Sequence, residues 1–365
     1  MINLHFFPSR RIALYMARLF VVRSFAVLFA LVLILMTLDL LGNSGEILAH
    51  PGNGDAELWR YVGLRIPQLV ARFLPFSVLL GTLITLATLN QNSEIISMKA
   101  AGISAHQIIA PLIVAAVGIA TVHFAFNERV VTRANAALGA WEAVEFAPVP
   151  PETDIQNNVA LVHGDDLIFA RRVSGEGPRV RLAGVTVYER SGGTLRRILT
   201  GASGRQEGGA WRLDDASLFT LDSGRLERLQ SLRFGAGIRP DQFTLAKVDP
   251  DAQDFLRLKA SIDDLAAANR PTAMLEANLW HKLAGPLSTV LMPLLAAVAA
   301  FGLARSGQLL LRAALGMGLG FAYFVADNFA LAMGNLGAYP PFLAAWGPFL
   351  LFLLVGESVL IRTEE

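Results

Sequence analysis

Six stretches of the chain stay almost wholly apolar for the length of a bilayer crossing: about 18–41, 67–90, 104–126, 279–303, 311–334 and 342–361. A hydrocarbon core of about 30 Å needs roughly 20 such residues in a helix, so the pattern predicts six transmembrane helices. No charge falls between Arg72 and Glu94, and none between Asp327 and Glu357. Between the third and fourth stretches the pattern changes. Short runs at 159–163, 167–173 and 184–190 alternate apolar with polar residues, as half-buried strands do. Gly-rich turn signals separate them at 191–193, 201–204, 207–209 and 222–224. These predict an all-β domain, a sandwich or jelly roll, inserted into a helical protein. From Asp249 onward Phe255, Leu256, Leu258, Ile262 and Leu265 restore a helical period, a connector into the fourth span. The organisation is therefore 1–128 (spans one to three), 129–270 (the β domain and its connector) and 271–365 (spans four to six).

Composition supports the membrane reading, since 53% of residues are hydrophobic and only 17% charged. That is too apolar for an ordinary soluble protein of this length. Arg10, Arg11, Arg18 and Arg23 are spread through the N-terminal region, and no small-residue cleavage site follows, so a signal peptide is not expected. Lys and Arg near the helix ends set the orientation. The four N-terminal arginines, Lys99, Arg305, Arg312 and Arg362 favour a cytoplasmic side holding both termini. Residues 129–270 then lie outside, with nineteen of the 31 Lys and Arg residues. No cysteine is present, so an outer domain must fold by its own core rather than by disulfides.

Catalytic patterns are lacking. There is no G-x-x-x-x-G-K-[ST] loop to hold a nucleotide's phosphates, and the six histidines are scattered without metal-ligand spacing. The expectation is a non-enzymatic membrane protein that binds no metal or cofactor itself and has no nucleic-acid partner. Charges within the spans carry more information, because each costs about 2.5–3.5 kcal/mol to insert. Asp39, Asp327 and Glu357 are either the lining of a polar path or pairs for nearby cations. Arg60, Arg65, Arg72, Arg129, Arg133, Arg270 and Lys282 cluster near the outer ends of spans two, three and four. They either anchor the helices in the interface or bind lipid phosphate, for which the guanidinium fork is suited.

The polar gap between spans two and three reads QNSEIISMKAAGIS, residues 91–104. Ser93 can cap a helix, Glu94 suits its first turn, and Gly102 suits its stop. Ile95, Ile96 and Met98 give this helix of about 92–102 an apolar patch, and Lys99 ends it. So short a helix is unstable alone and needs a surface to dock on. It is either a turn covering its own bundle or a coupling helix for a soluble partner.

The stretch 93–104 resembles the coupling-helix signature of the LptF/LptG permeases of the lipopolysaccharide export system. Further matches follow in order: RFLPFSVLLGTLITLATLNQ at 72–91, NLWHKLAGPLSTVLMPLLA at 278–296, GFAYFVADNFA at 320–330 and YPPFLAAWGP at 339–348. They cover nearly the whole chain and lie closer to the LptG than to the LptF branch. The resemblance implies a heterodimer with an LptF-like permease, driven by two copies of an LptB-like ATPase that binds the ATP and magnesium. It implies lipopolysaccharide as cargo, an LptC-like periplasmic bridge as recipient, and a β-jelly roll in the periplasm of an inner-membrane protein. Ser93, Glu94, Ile95, Ile96, Met98, Lys99 and Gly102 would then form the contact with the ATPase. One departure stands out: Met36, Asp39 and Asn43 occupy the end of span one where some LptG proteins carry basic residues. Two rival classes remain at this stage: an ion-coupled secondary transporter using the three intramembrane carboxylates, and a receptor or scaffold with an outer binding domain.

Overall fold

The structure, a computed structural model, describes residues 8–148, 156–175, 179–221, 223–240, 243, 248–267, 270–302 and 309–362. It divides into two compact units, one of residues 1–138 with 250–365 and one of residues 139–249.

The first unit is helical. Helix α1 (Arg10–Ala49) begins where Ser9 Oγ accepts from the Ile12 amide at 3.4 Å. Helix α2 (Asp55–Gln91) begins where Glu57 accepts from the Gly54 amide at 2.9 Å. A short helix, α3 (Glu94–Ala100), fills the gap before α4 (Ala105–Phe126). Ser104 and Gln107 cap α4 reciprocally: Ser104 Oγ accepts from the Gln107 amide, and Gln107 Oε1 accepts from the Ser104 amide. A π-helical turn, Asn127–Val131, carries α4 into α5 (Thr132–Glu142). After the β domain come α6 (Phe255–Ala267), α7 (Ala273–Ala297), α8 (Leu309–Asn335) and α9 (Pro341–Arg362).

Among the described residues six helices are long and apolar enough to cross a membrane, as the sequence pattern predicts. Several extend well past the apolar run. The 40 residues of α1 reach about 60 Å at 1.5 Å per residue, twice the hydrocarbon thickness. Arg305 and the side chain of Arg312, used above for orientation, lie outside the described residues.

Helix α7 is the hub. Its apolar window is mostly buried, and it packs against α2, α4, α8 and α9. Helices α1, α8 and α9 leave most of their apolar surface open. Close approach of α1 to α2 depends on Gly81, where a Cβ would lie 2.3 Å from Ser24 Oγ.

The second unit is one antiparallel sheet. Its strands are β1 (Gln156–His163), β2 (Asp166–Ser174), β3 (Arg181–Ser191), β4 (Thr194–Glu207), β5 (Ala210–Thr220) and β6 (Arg225–Phe234). They pair in sequence order, so the inserted all-β domain is a run of hairpins among the described residues. Gly192, Gly193, Gly208, Gly209 and Gly224 sit at the hairpin turns with positive φ.

One expected turn is not a turn. Residues 201–204 lie inside β4, where Gly201 and Gly204 make room for core side chains of the neighbouring strands. A Cβ on Gly201 would meet Leu213 Cβ at 2.9 Å. The core contains Val159, Ile168, Val185, Leu213 and Trp211, with the indole N–H donating to the Ile238 carbonyl at 3.0 Å. The compact unit is narrower than the 129–270 read from sequence. Helix continues through the π turn to Glu142, and the connector α6 belongs to the helical unit.

Candidate functional site

The α3 hairpin is built by local chemistry at both ends. At its start Ser93 takes a left-handed conformation, φ 60°, which costs an L-residue roughly 1–2 kcal/mol. Ser93 occupies the N-cap position, but its hydroxyl makes no cap bond, contrary to the expectation from sequence. The Glu94 carboxylate instead accepts from Asn92 Nδ2 at 3.2 Å and from Tyr15 Oη of α1 at 3.3 Å. At the other end Gly102 has φ 84°, its amide donates to the Lys99 carbonyl, and the Ile103 amide donates to the Met98 carbonyl. That double bond pattern is a Schellman stop, and it needs the glycine.

The apolar patch expected of Ile95, Ile96 and Met98 is split. Ile95 (5% exposed) and Met98 (9%) turn inward against the protein's own bundle, whereas Ile96 is 61% exposed. Positions i and i+3 share a helix face and i+1 does not, which is why the three separate. Ile95 and Met98 hold the helix in place, and Ile96 is the apolar residue it presents. Lys99 is also engaged within the chain, its Nζ 5.0 Å from the Phe301 ring centroid at the π-helical end of span four.

The three carboxylates expected within the spans each face a basic side chain. Asp39 takes two bonds from the Arg65 guanidinium, at 2.9 and 3.2 Å, and a third from Tyr61 Oη at 2.7 Å. Arg65 also donates to Gln68. Asp327 of α8 lies 3.0 Å from His281 Nε2 of α7. Glu357 of α9 lies 3.5 Å from His106 Nε2 of α4, both well exposed.

The basic residues divide likewise. Arg60, Arg72, Arg129 and Arg133 are exposed, and Arg270 is half-buried. Arg65 is committed to Asp39. Lys282 is buried, with Nζ 3.7 Å from Glu128 Oε1. Glu128, unnoticed in the sequence, sits on the π turn after α4, and its other oxygen accepts from the Phe255 amide at the start of α6. A lone acid at the end of an apolar run was the available signal. Among the described residues no cluster of His, Cys, Asp and Glu could hold a metal ion.

Among the described residues, six helices able to span a membrane, a β domain inserted after the third and a short amphipathic helix between the second and third define a polytopic membrane protein. The sequence matches the family described as lipopolysaccharide export system permease LptF/LptG over residues 14–362, and the chain belongs to that family. It is a multi-pass permease subunit of lipopolysaccharide export. It is similar to lipopolysaccharide export system permease protein LptG of Escherichia coli K12, 25% identical over 308 residues that cover 83% of this chain and 84% of that one. It is also similar to the LptG of Haemophilus influenzae Rd, 24% identical over 357 residues, 93% of this chain and 96% of the other.

Proposed function

We propose that this chain is the LptG-like half of an inner-membrane heterodimer with an LptF-like permease. In this reading α3 docks in a groove of an LptB-like ATPase, which binds and hydrolyses ATP with magnesium while this chain performs no chemistry. The observation that supports it most is the division of α3 into an inward face, Ile95 and Met98, and an outward face carrying Ile96. On that outward face Ile96 is the apolar side chain available to a partner, beside the Glu94 carboxylate.

Closure of the ATPase would displace α3, rock spans one to three and narrow a cavity that accepts lipopolysaccharide from the outer leaflet. The open apolar faces of spans one and five suit acyl chains: Phe25, Phe29 and Leu33 on α1, and Phe321, Phe324 and Val325 on α8. The cargo would then pass to an LptC-like periplasmic bridge. Purification of the complex from its native membrane tests the reading. An ATPase is expected to come with the chain, and its absence would remove the coupling role of α3.

Orientation has its own test, made clean by the lack of native cysteine. Ser174→Cys in the β domain is expected to react with a membrane-impermeant thiol reagent in intact spheroplasts, and Ser97→Cys in α3 only after lysis. The reverse pattern would invert the topology.

Of the four exposed arginines, Arg72 and Arg133 are taken as the pair that meets lipid phosphate. A hydrogen bond to a charged group contributes about 1.5–3 kcal/mol, so each change to Ala should lower lipid photocrosslinking roughly tenfold. Arg65→Ala should act differently, lowering thermal stability because it strands Asp39. Wild-type crosslinking in both surface variants would end the phosphate assignment.

A further inference from the structure

The least explained contact near α3 is the one made by Tyr15. This residue lies in the second turn of α1, and its hydroxyl reaches the Glu94 carboxylate across 79 positions of sequence at 3.3 Å. It is half-exposed and packs into no core, so its ring has no evident structural use there. The other end of α3 is tied differently, with Lys99 set over the Phe301 ring of the span-four terminus. Span four is the buried hub, and α1 is the long helix whose apolar face lies open. One end of α3 therefore holds to the buried hub, and the other to the long helix whose apolar face lies open. A second tie, Arg23 Nη1 to the Ile84 carbonyl at 3.2 Å, keeps this part of α1 beside α2, so α1 would follow as a lever rather than slide.

We propose that Tyr15 is a positioning residue for transport: its bond to Glu94 carries displacement of α3 directly to span one. The proposal rests on the ATPase docking set out above and adds the route by which that docking reaches the lipid-facing helix. It also assigns Glu94 a partner in the ATPase beside Asn92 and Tyr15 of its own chain, on a carboxylate with acceptor capacity for all three.

Tyr15→Phe in the full complex tests it, because the ring and its contacts stay and only the hydroxyl goes. Two quantities are measured: the ATPase that co-purifies, and lipopolysaccharide released per ATP hydrolysed in proteoliposomes. Co-purification is expected to match wild type while lipid released per ATP falls about three- to fivefold, the scale of one typical net hydrogen bond. Tyr15→Trp, which restores an N–H donor, is expected to recover part of the ratio. An unchanged ratio in Tyr15→Phe would overturn the proposal. Loss of the ATPase would overturn it too, by making Tyr15 part of the docking surface. Failure of the wild-type chain to bring down any ATPase is a separate result, and it would refute the docking itself.

Discussion

Glu94→Lys is expected to abolish lipid export while the protein still inserts and folds. The carboxylate sits in the first turn of α3, where the helix dipole favours an anion, and it accepts from Asn92 and Tyr15. A lysine there reverses the dipole term and removes both acceptor roles at once. If Glu94 is enclosed in a groove of the ATPase, removing its charge strands a cation of the partner. Breaking a buried pair costs about 3–5 kcal/mol, whereas an exposed pair is worth only about 0–1 kcal/mol. The larger figure corresponds to more than a hundredfold in affinity, so the two readings separate cleanly. Glu94→Ala should be milder than the reversal. Ile96→Asp should lose the ATPase with the bundle intact, because Ile96 is exposed. Ile95→Asp should instead loosen α3 itself, because Ile95 is buried against the chain. Co-purified ATPase and lipid-dependent ATP hydrolysis report both steps. Full coupled activity in Glu94→Lys and Ile96→Asp together would reduce the stretch to a turn.

The spans were legible because twenty consecutive apolar residues leave few alternatives, and the inserted β domain because its hairpin glycines recur between alternating runs. Helix ends were less legible. The stretch Asn43–Ala49 is polar enough to read as loop, yet it continues α1 because its backbone bonds cost nothing extra outside the lipid. Gly201 and Gly204 misled for a related reason: a glycine placed to clear Leu213 looks the same in sequence as one placed to turn. The Asp39–Arg65 pair was within reach. The two residues stand at equal distances either side of Gly52, as partners on an antiparallel helical hairpin must. The His106–Glu357 pair was not, since it joins helices that are not neighbours in the chain. Within α3 the sequence reading grouped Ile95, Ile96 and Met98 as one apolar patch, and the structure sets Ile96 apart from the other two. Applying the i, i+3 rule to Ile95 and Met98 would have set Ile96 apart.

Glu128→Leu is expected to destabilise the helical unit strongly. Its carboxylate stands between three elements: the π turn that carries it, the start of α6 through the Phe255 amide, and span four through Lys282. Lys282 is 8% exposed, so the variant leaves an ammonium buried in an apolar setting with its counter-ion gone. Stranding a charge in this way costs about 3–5 kcal/mol, and losing the acceptor at the N-terminus of α6 adds about 1 kcal/mol. Lys282→Met should cost less, because Glu128 keeps the Phe255 amide and the methionine stem fills the lysine's space. The double variant is the decisive measurement. With both charges removed, no ion is stranded, so Glu128→Leu with Lys282→Met should be more stable than Glu128→Leu alone. Thermal unfolding in detergent, followed by helical circular dichroism and by the fluorescence of a dye that reacts with newly introduced buried cysteine, reads the order of the three. If the double variant melts at or below Glu128→Leu, the pair does not hold the joint. The carboxylate's contribution would then lie in the α6 cap alone.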